Sequence, residues 1–159
     1  MDLEKFNEIL NDKGYRNYLD KLTELEKDRR FCKHNIEHFL DVARIVYIYV
    51  LENKLLYSKE IIYAIALLHD IGRVLEYEEG IPHHEASVKL AEEILCRTTY
   101  STEDKNIILK AIENHRKDSD DEISQIIYKS DKLSRNCFSC SAEKECYWSN
   151  EKKNFLIKY

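Results

Sequence analysis

The sequence predicts an all-α fold, and two observations support this prediction. Only three glycines and one proline occur among the 159 residues, so residues that interrupt helices are scarce. The segments between them are long, and their apolar residues recur with helical spacing. No internal repeat, linker or low-complexity segment divides the chain, and its length suits one domain. We therefore expect a single domain over residues 1–159.

The first half of the chain is predicted to form helices over 3–11, 15–29, 36–53 and 59–76. The first two are charged and amphipathic, and Gly14 separates them. Asn35 and Ser58 directly precede the next two helices, and both residue types cap a helix by accepting a backbone hydrogen bond. The stretch YIYVL at 47–51 would also suit a strand, but its flanks keep helical spacing, so we expect a helix there.

The second half is predicted to form helices from Pro82 to about Cys96, from Ser101 or Thr102 to about His115, and through ISQIIYKSDKLSRN. Proline is favoured in the first turn of a helix, as expected for Pro82. The acidic stretch DSDDE precedes the third of these helices and places negative charge at the positive end of its dipole. Residues 137–159 have a different composition, with three cysteines and a tryptophan, followed by an expected short charged helix.

Composition and charge exclude several classes of partner. The net charge is −5, from 25 Lys and Arg against 30 Asp and Glu, so nothing draws the whole chain toward polymeric nucleic acid or an anionic membrane. No apolar run approaches the ~20 residues of a membrane span. The stretch MDLEKFNEIL lacks the apolar segment of a signal peptide, so we expect a cytoplasmic protein. Its five cysteines are then thiols or metal ligands rather than disulfides. The oligomeric state is left open.

Four polar residues lie in apolar surroundings that favour a metal site. His69 and Asp70 end the most apolar predicted helix, and burying such a pair costs free energy unless both groups are paired. His38 borders the apolar face of its helix, because Val42 follows four residues later. Asp131 lies within the apolar stretch IIYKSDKL. Two histidines and two aspartates on three helices suit a divalent metal ion; the simpler alternative is a buried His–Asp hydrogen bond without metal.

The order of these residues resembles the HD superfamily of metal-dependent phosphohydrolases. The matching stretches are HFLDVA from His38, LLHDIG around His69 and Asp70, and IYKSD ending at Asp131. The resemblance covers about residues 30–136 and implies an all-helical bundle, which agrees with the helices predicted above. Residues 137–159 would then form a short cysteine-containing appendage.

A second resemblance concerns three further histidines. The stretch AIENHR followed by IIYKSDKLS is similar to the two-metal diadenosine tetraphosphate hydrolases of this superfamily. That resemblance implies that His115, with His83 or His84, binds a second ion, and that Asp70 bridges the two ions. His83 is favoured, because Ser87 four residues later occupies a small-residue position of the family pattern. The alternative is that these histidines line the pocket or lie on the surface.

The resemblance implies hydrolysis of a nucleotide or another small phosphoester by metal-activated water. Asp70 would orient or deprotonate that water, and Arg73 would offset phosphate charge. Further possible substrate contacts are His34, His84, Lys132 and Arg30, each of which could instead be an ordinary surface or capping residue. The mixed ligands suit iron, manganese, cobalt, nickel or zinc, as one ion or two. The alternatives are an inactive HD module that binds a nucleotide or partner, and a metal–sulfur sensing protein.

The last interpretation concerns the stretch CFSCSAEKEC. Cys137, Cys140 and Cys146 have C-x2-C-x5-C spacing, which supplies three thiolates, and a closed tetrahedral site needs a fourth ligand. Zinc or a [4Fe–4S] cluster would suit four thiolates, and we slightly favour iron–sulfur. Three free surface thiols are the alternative.

Cys32 is the expected fourth ligand. It precedes His38 by six residues, as Cys137 follows Asp131 by six. If both stretches are helical and antiparallel, each cysteine lies roughly 9 Å beyond the hydrolase site, at ~1.5 Å per residue. Cys96 has no such relation and is expected to be a core thiol.

Overall fold

The computed structural model describes residues 4–159, and these residues fold as a bundle of α-helices without a strand, as predicted. The helices are α1 (Phe6–Asn11), α2 (Lys13–Leu25), α3 (Ile36–Glu52), α4 (Lys59–Leu68), α5 (Arg73–Glu79), α6 (His83–Leu95), α7 (Thr102–Asn114) and α8 (Glu122–Leu133). Two 3₁₀ turns follow, Cys137–Ser139 and Glu143–Glu145. Among the helices of residues 4–159, none has both the length and the apolar character that a membrane crossing requires.

Side-chain caps fix the beginnings of the helices that position the site. The predicted caps Asn35, Ser58 and Ser101 each accept a hydrogen bond from the backbone amide three residues later. Asp121, within the predicted acidic stretch, accepts from the amide of Ser124 in the same way and caps α8. Pro82 immediately precedes α6. These helix beginnings agree with the sequence prediction to within a residue or two.

Three predicted helices differ from those observed. The helix expected over 59–76 is two helices, because residues 69–72 form a turn in which the Gly72 amide donates to Ser87 Oγ at 2.9 Å. The break near Gly14 lies at Asp12 instead, whose side chain caps α2, and α2 ends before residue 29. The short charged helix expected near the carboxyl terminus is absent from the described chain, where only 3₁₀ and other turns follow α8.

Helix α4 lies at the centre of the core. It packs against α1, α3, α6 and α7, and its residues Ile62, Ile65 and Leu68 are fully buried. The Tyr15 hydroxyl of α2 donates to the carbonyl oxygen of Leu67 at 3.0 Å and fixes the end of α4. Helix α8 packs on α3 and α7. The carboxyl end of α4 is thereby held inside the bundle, where the turn at 69–72 begins.

Candidate metal centre

Six polar residues from the ends of five helices converge at the turn after α4. His69 and Asp70 lie in that turn, and the other four lie at the beginning of α3, at the first position of α6, directly after α7 and near the end of α8. These four are His38, His83, His115 and Asp131. Within residues 4–159, the six residues form two groups whose ligand atoms lie close enough to hold an ion. The first is His38, His69, Asp70 and Asp131, and the second is Asp70, His83 and His115.

Asp70 belongs to both groups and presents a different oxygen to each. Its Oδ2 lies 3.4 Å from His69 Nε2. Its Oδ1 lies 3.3 Å from His83 Nε2 and 3.4 Å from His115 Nε2. The carboxylate therefore has the placement of a bridging ligand between two ions.

The first group is completed by Asp131. Its Oδ1 lies 3.1 Å from His38 Nε2 and 3.6 Å from His69 Nε2. The side chains of His38 and His69 are buried, whereas Asp131 is 25% exposed. Asp131 is therefore the ligand of this group that solvent or a substrate can reach.

The Nδ1 atoms of the histidines form hydrogen bonds within the protein. His69 Nδ1 lies 2.7 Å from the Ala66 carbonyl oxygen, and His115 Nδ1 lies 2.5 Å from that of Ile112. Carbonyl oxygens only accept hydrogen bonds, so each Nδ1 carries the proton and donates it. Each Nε2 then faces the centre and, in the neutral imidazole, presents a lone pair there, which is the usual arrangement of a metal-binding histidine.

His38 and His83 follow the same pattern through side chains. Ser134 Oγ donates to the Asp131 carbonyl oxygen at 2.6 Å, so it accepts from His38 Nδ1 at 3.1 Å. His83 Nδ1 lies 3.3 Å from the Glu76 carboxylate, which can only accept, and 3.4 Å from Arg116 Nη1, which can only donate; the carboxylate is the nearer partner. All four Nε2 atoms and Asp70 Oδ1 are buried without a hydrogen-bond partner among the described residues. Such orphaned atoms are costly, and a cation at this position would satisfy them; the donor set therefore fits one or two divalent ions.

Protonation favours the ligand forms at three positions. Burial would raise the pKa of Asp70, but His69 and His115 hold it well below its usual range, so Asp70 is an anion. Burial lowers the pKa of His38 to about 4 and that of His83 to about 3, so both are neutral near pH 7. For His69, burial is outweighed by Asp70 and Asp131, which raise its pKa to about 10. Metal binding would therefore displace a proton from His69.

Two other residues predicted at the site lie beside it. Arg73 Nε lies 3.5 Å from Asp70 Oδ1, and its guanidinium also reaches Glu76 at 3.1 Å. His34 is buried, with Nε2 3.7 Å from Asp70 Oδ2 and Nδ1 2.7 Å from Glu26. Burial would raise the pKa of Glu26, but hydrogen bonds from His34 and Tyr77 lower it to about 2. Glu26 is thus an anion that orients the His34 ring.

Three predicted substrate contacts lie away from the centre. His84 is partly exposed and belongs to neither group, so the structure places His83 rather than His84 at the second group. Lys132 Nζ lies 3.3 Å from the Tyr128 ring centroid, so the Lys132 side chain lies along its own helix. Arg30 pairs with Glu145 of the appendage at 2.7 Å and is largely exposed. None of these three residues is a member of either metal group.

The sequence interpretation missed Glu26, Glu76 and Ser134, which orient the histidines. Glu26 lies at the end of α2, where it resembled the many exposed glutamates of an amphipathic helix. Ser134 follows Asp131 by three residues, so its position one turn along the same helix face was the only available signal.

A cavity of about 110 Å³ opens beside the first metal group. Asp131, His34 and Arg73 form its inner wall. Two more arginines, three aromatic residues and two cysteines also line it; they are Arg29, Arg135, Phe31, Tyr147, Trp148, Cys32 and Cys146. The cavity therefore combines cationic groups with aromatic surface next to the candidate ligands.

Comparison with known proteins gives a family match and a relative. A family model described as HD domain matches residues 35–136. A protein of Clostridium beijerinckii, named only "Uncharacterized protein", is 49% identical over 157 residues, which cover 99% of this chain and all of that protein. No solved structure gives a significant match.

Proposed function

The chain belongs to the HD domain family, and from this premise we propose that it is a metal-dependent phosphohydrolase acting on a nucleotide or another small phosphoester. The observation that supports this most strongly is the shared Asp70, which faces His69 with one oxygen and His83 and His115 with the other. A pair of ions about a bridging carboxylate suits phosphoester hydrolysis. We therefore also propose the two-metal form of the site. The cytoplasmic location stays a prediction.

The cavity beside the centre supports a small phosphorylated substrate. Arg29, Arg73 and Arg135 contribute three guanidinium groups, which bind phosphate oxygens well because they donate from a planar fork. Trp148 and Tyr147 offer aromatic surface, on which a nucleobase can stack. A volume of about 110 Å³ holds a phosphate group but not a whole nucleotide, so the remainder of the substrate would extend toward the exposed Tyr147 and the partly buried Trp148.

The chain's own residues would bind the ions and position the substrate. His38, His69, Asp70 and Asp131 would hold one ion, and His83 and His115 would share Asp70 in holding a second. When bound, the ions supply a Lewis acid for a phosphoryl oxygen and lower the pKa of a bound water. Asp70, an anion at the centre, is placed to orient that water and to accept its hydrogen bond.

Two residues act beyond the ligands in this proposal. Arg73, which lines the cavity with Asp131, would offset the negative charge of the phosphoryl group while its guanidinium also faces Asp70 and Glu76. His34 donates through Nδ1 to Glu26, so its Nε2 is free to accept a hydrogen bond from substrate or water. Glu26 would stabilise the imidazolium if Nε2 takes up a proton.

The proposal is tested with a panel of nucleotides and simple phosphoesters assayed against added Mn²⁺, Fe²⁺, Co²⁺, Ni²⁺ and Zn²⁺. We expect metal-dependent release of phosphate or a nucleotide product, and a loss of at least about 100-fold in kcat/KM for Asp70→Ala. His84→Ala is the matched control and should retain turnover. Tight nucleotide binding without turnover under every metal would replace the enzyme with an inactive binding module, and retained turnover in pure Asp70→Ala would refute the assigned centre.

A further inference from the structure

Four of the five cysteines line one cavity that borders the candidate metal centre at His38. They are Cys32, Cys137, Cys140 and Cys146, and the cavity measures about 320 Å³. The fifth, Cys96, is exposed at the end of α6 and does not line this cavity, so the expectation of a core thiol is wrong for it. The four cysteines that line this cavity are thus the four that the sequence spacing predicts to form one site.

Cys32 and Cys137 reach the cavity through loops rather than helices. Helix α3 begins only at Ile36 and α8 ends at Leu133, so the assumption that both cysteines extend those helices is wrong. The two helices nevertheless bring them together, because the beginning of α3 meets the end of α8 where His38 faces Asp131. Both cysteines lie in the chain immediately outside this junction.

Local turns place the other cysteines. The Cys140 amide donates to the Cys137 carbonyl oxygen at 3.2 Å, and that of Cys146 donates to Glu143 at 3.2 Å. The appendage is fixed to the bundle by Asn154, whose side-chain amide donates to the carbonyl oxygens of Lys132 and Arg135 at the end of α8. The appendage therefore holds its three cysteines at the cavity that Cys32 also lines.

The distances between the cysteine sulfurs distinguish a single zinc ion from an iron–sulfur cluster. In the described chain, no three cysteine sulfurs lie within 4.8 Å of one another. Around one zinc ion, Zn–S bonds of ~2.3 Å place four sulfurs about 3.8 Å apart. A [4Fe–4S] cluster binds each cysteine to a different iron, so its ligands are spread more widely. The cavity volume also exceeds the ~30 Å³ of a single water by far, whereas a closed zinc site has no such space.

The charge around the cavity is compatible with four thiolate ligands, which give their complex with a [4Fe–4S] core a net negative charge. Four cationic side chains line it, against three carboxylates: Arg30, Lys33, Arg135 and Lys153, and Glu37, Asp41 and Glu143. Burial raises the pKa of the Cys32 thiol, and Arg135 opposes that effect. Negative charge on Cys137, Cys140 or Cys146 would raise the pKa of Cys32 further, so each of these three sulfurs lies within electrostatic reach of Cys32. Free thiolates would repel here, and irons would relieve that repulsion.

We propose that Cys32, Cys137, Cys140 and Cys146 bind a [4Fe–4S] cluster in this cavity. The cluster lies next to the hydrolase site, because Cys32 and Cys146 also line the cavity that holds Asp131 and His34. It closes the appendage onto the bundle and forms part of the wall facing the substrate. Cluster binding does not depend on the proposed hydrolase activity.

The test uses the full chain purified without oxygen, with iron, zinc and acid-labile sulfide counted per chain. Sulfide is the decisive readout, because the His/Asp centre can hold iron but contributes no sulfide. We expect about four sulfides per chain, with an electron paramagnetic resonance signal after reduction by dithionite. Cys140→Ser and Cys32→Ser should each lose most of the sulfide, whereas Cys96→Ser and His115→Ala should retain it.

Several results would overturn the proposal. Wild-type protein that contains no acid-labile sulfide excludes the cluster, irrespective of how the variants fold. The same holds if the sulfide-free wild type carries one zinc ion that Cys140→Ser loses. Unchanged sulfide in folded Cys32→Ser removes Cys32 as a ligand and with it the four-cysteine site. Loss of sulfide in Cys96→Ser as complete as in Cys140→Ser would contradict the assigned ligands. None of these outcomes bears on phosphoester turnover, so the two proposals fail separately.

Discussion

Asp70 concentrates the chemistry of the site in one side chain, because each of its oxygens faces a different set of histidines. The anion survives burial through the imidazoles around it, which hold its pKa well below the usual range against the effect of burial. The histidines differ in how replaceable they are. His69 faces both Asp70 and Asp131, whereas His115 faces Asp70 alone. Removing His115 should therefore weaken only one of the two ion positions.

We predict that His115→Ala lowers the number of ions bound by about one per chain while the position at His38 and Asp131 stays occupied. The measurement is equilibrium binding of Mn²⁺ to metal-free protein, since Mn²⁺ does not enter an iron–sulfur cluster. His84→Ala serves as the control and should bind as much Mn²⁺ as the wild type. An unchanged Mn²⁺ ratio in His115→Ala, with only KM altered, would make His115 a substrate contact instead.

At this scale the sequence predicted the candidate ligands better than their supports. His38, His69, Asp70 and Asp131 stood out because each lies in an apolar stretch, where a polar group needs a partner. Ser134 and Glu26 gave no such signal. Their function depends on contacts with His38 and His34 that exist only after α2, α3 and α8 have packed.

Among the elements, the contact between the turn at 69–72 and α6 determines where His83 lies. Gly72 has an ordinary helical φ of −67°, so its backbone conformation does not require glycine. Its surroundings do: an added Cβ would lie 2.1 Å from the Ser87 amide nitrogen and 2.5 Å from the His83 carbonyl oxygen. These are backbone atoms of α6, which cannot move without shifting the helix and its first residue, His83.

We predict that Gly72→Ala lowers the free energy of unfolding by roughly 2 kcal/mol or more, as overpacking does, and weakens Mn²⁺ binding at the second position. Chemical denaturation and Mn²⁺ titration measure the two effects. Gly14→Ala is the matched control, because its added Cβ would meet only side-chain atoms of Arg97 and Asp12. Wild-type stability and Mn²⁺ affinity in Gly72→Ala would show that α6 does not depend on this contact.

The same contact explains which elements the sequence could predict. The all-α class and the caps at Asn35, Ser58 and Ser101 followed from local patterns, because a cap bonds an amide only three residues away. The interruption after Leu68 did not follow, since it depends on the hydrogen bond from Gly72 to Ser87, fifteen residues later. The final charged segment kept helical spacing in sequence but forms turns, where Asn154 and Lys153 bond to the bundle and to Glu143.

Across the whole molecule, the candidate centre joins segments that are far apart in sequence. The beginnings of α3 and α6, the turn after α4, and the ends of α7 and α8 meet only there. Within residues 4–159, several buried nitrogen and oxygen atoms of this centre have no hydrogen-bond partner, which opposes folding. Bound ions would pair with these atoms and would connect the five helices that carry them. Metal should therefore stabilise the entire bundle, not merely the site.

We predict that removing divalent metal from the wild-type protein lowers Tm by about 5–10 °C. An ion present at 100 times its Kd adds about 2.7 kcal/mol to stability, and 1 kcal/mol corresponds to about 2–4 °C in a domain of this size. Differential scanning calorimetry with and without a chelator, under oxygen-free conditions, measures the change. Asp70→Ala is the control: having lost the shared ligand, its Tm should respond little to the chelator, while its cysteine cavity is unaltered. An equal fall in Tm for both proteins would place the stabilising metal at the cysteines, and no fall in the wild type would show that the buried His/Asp cluster folds without metal.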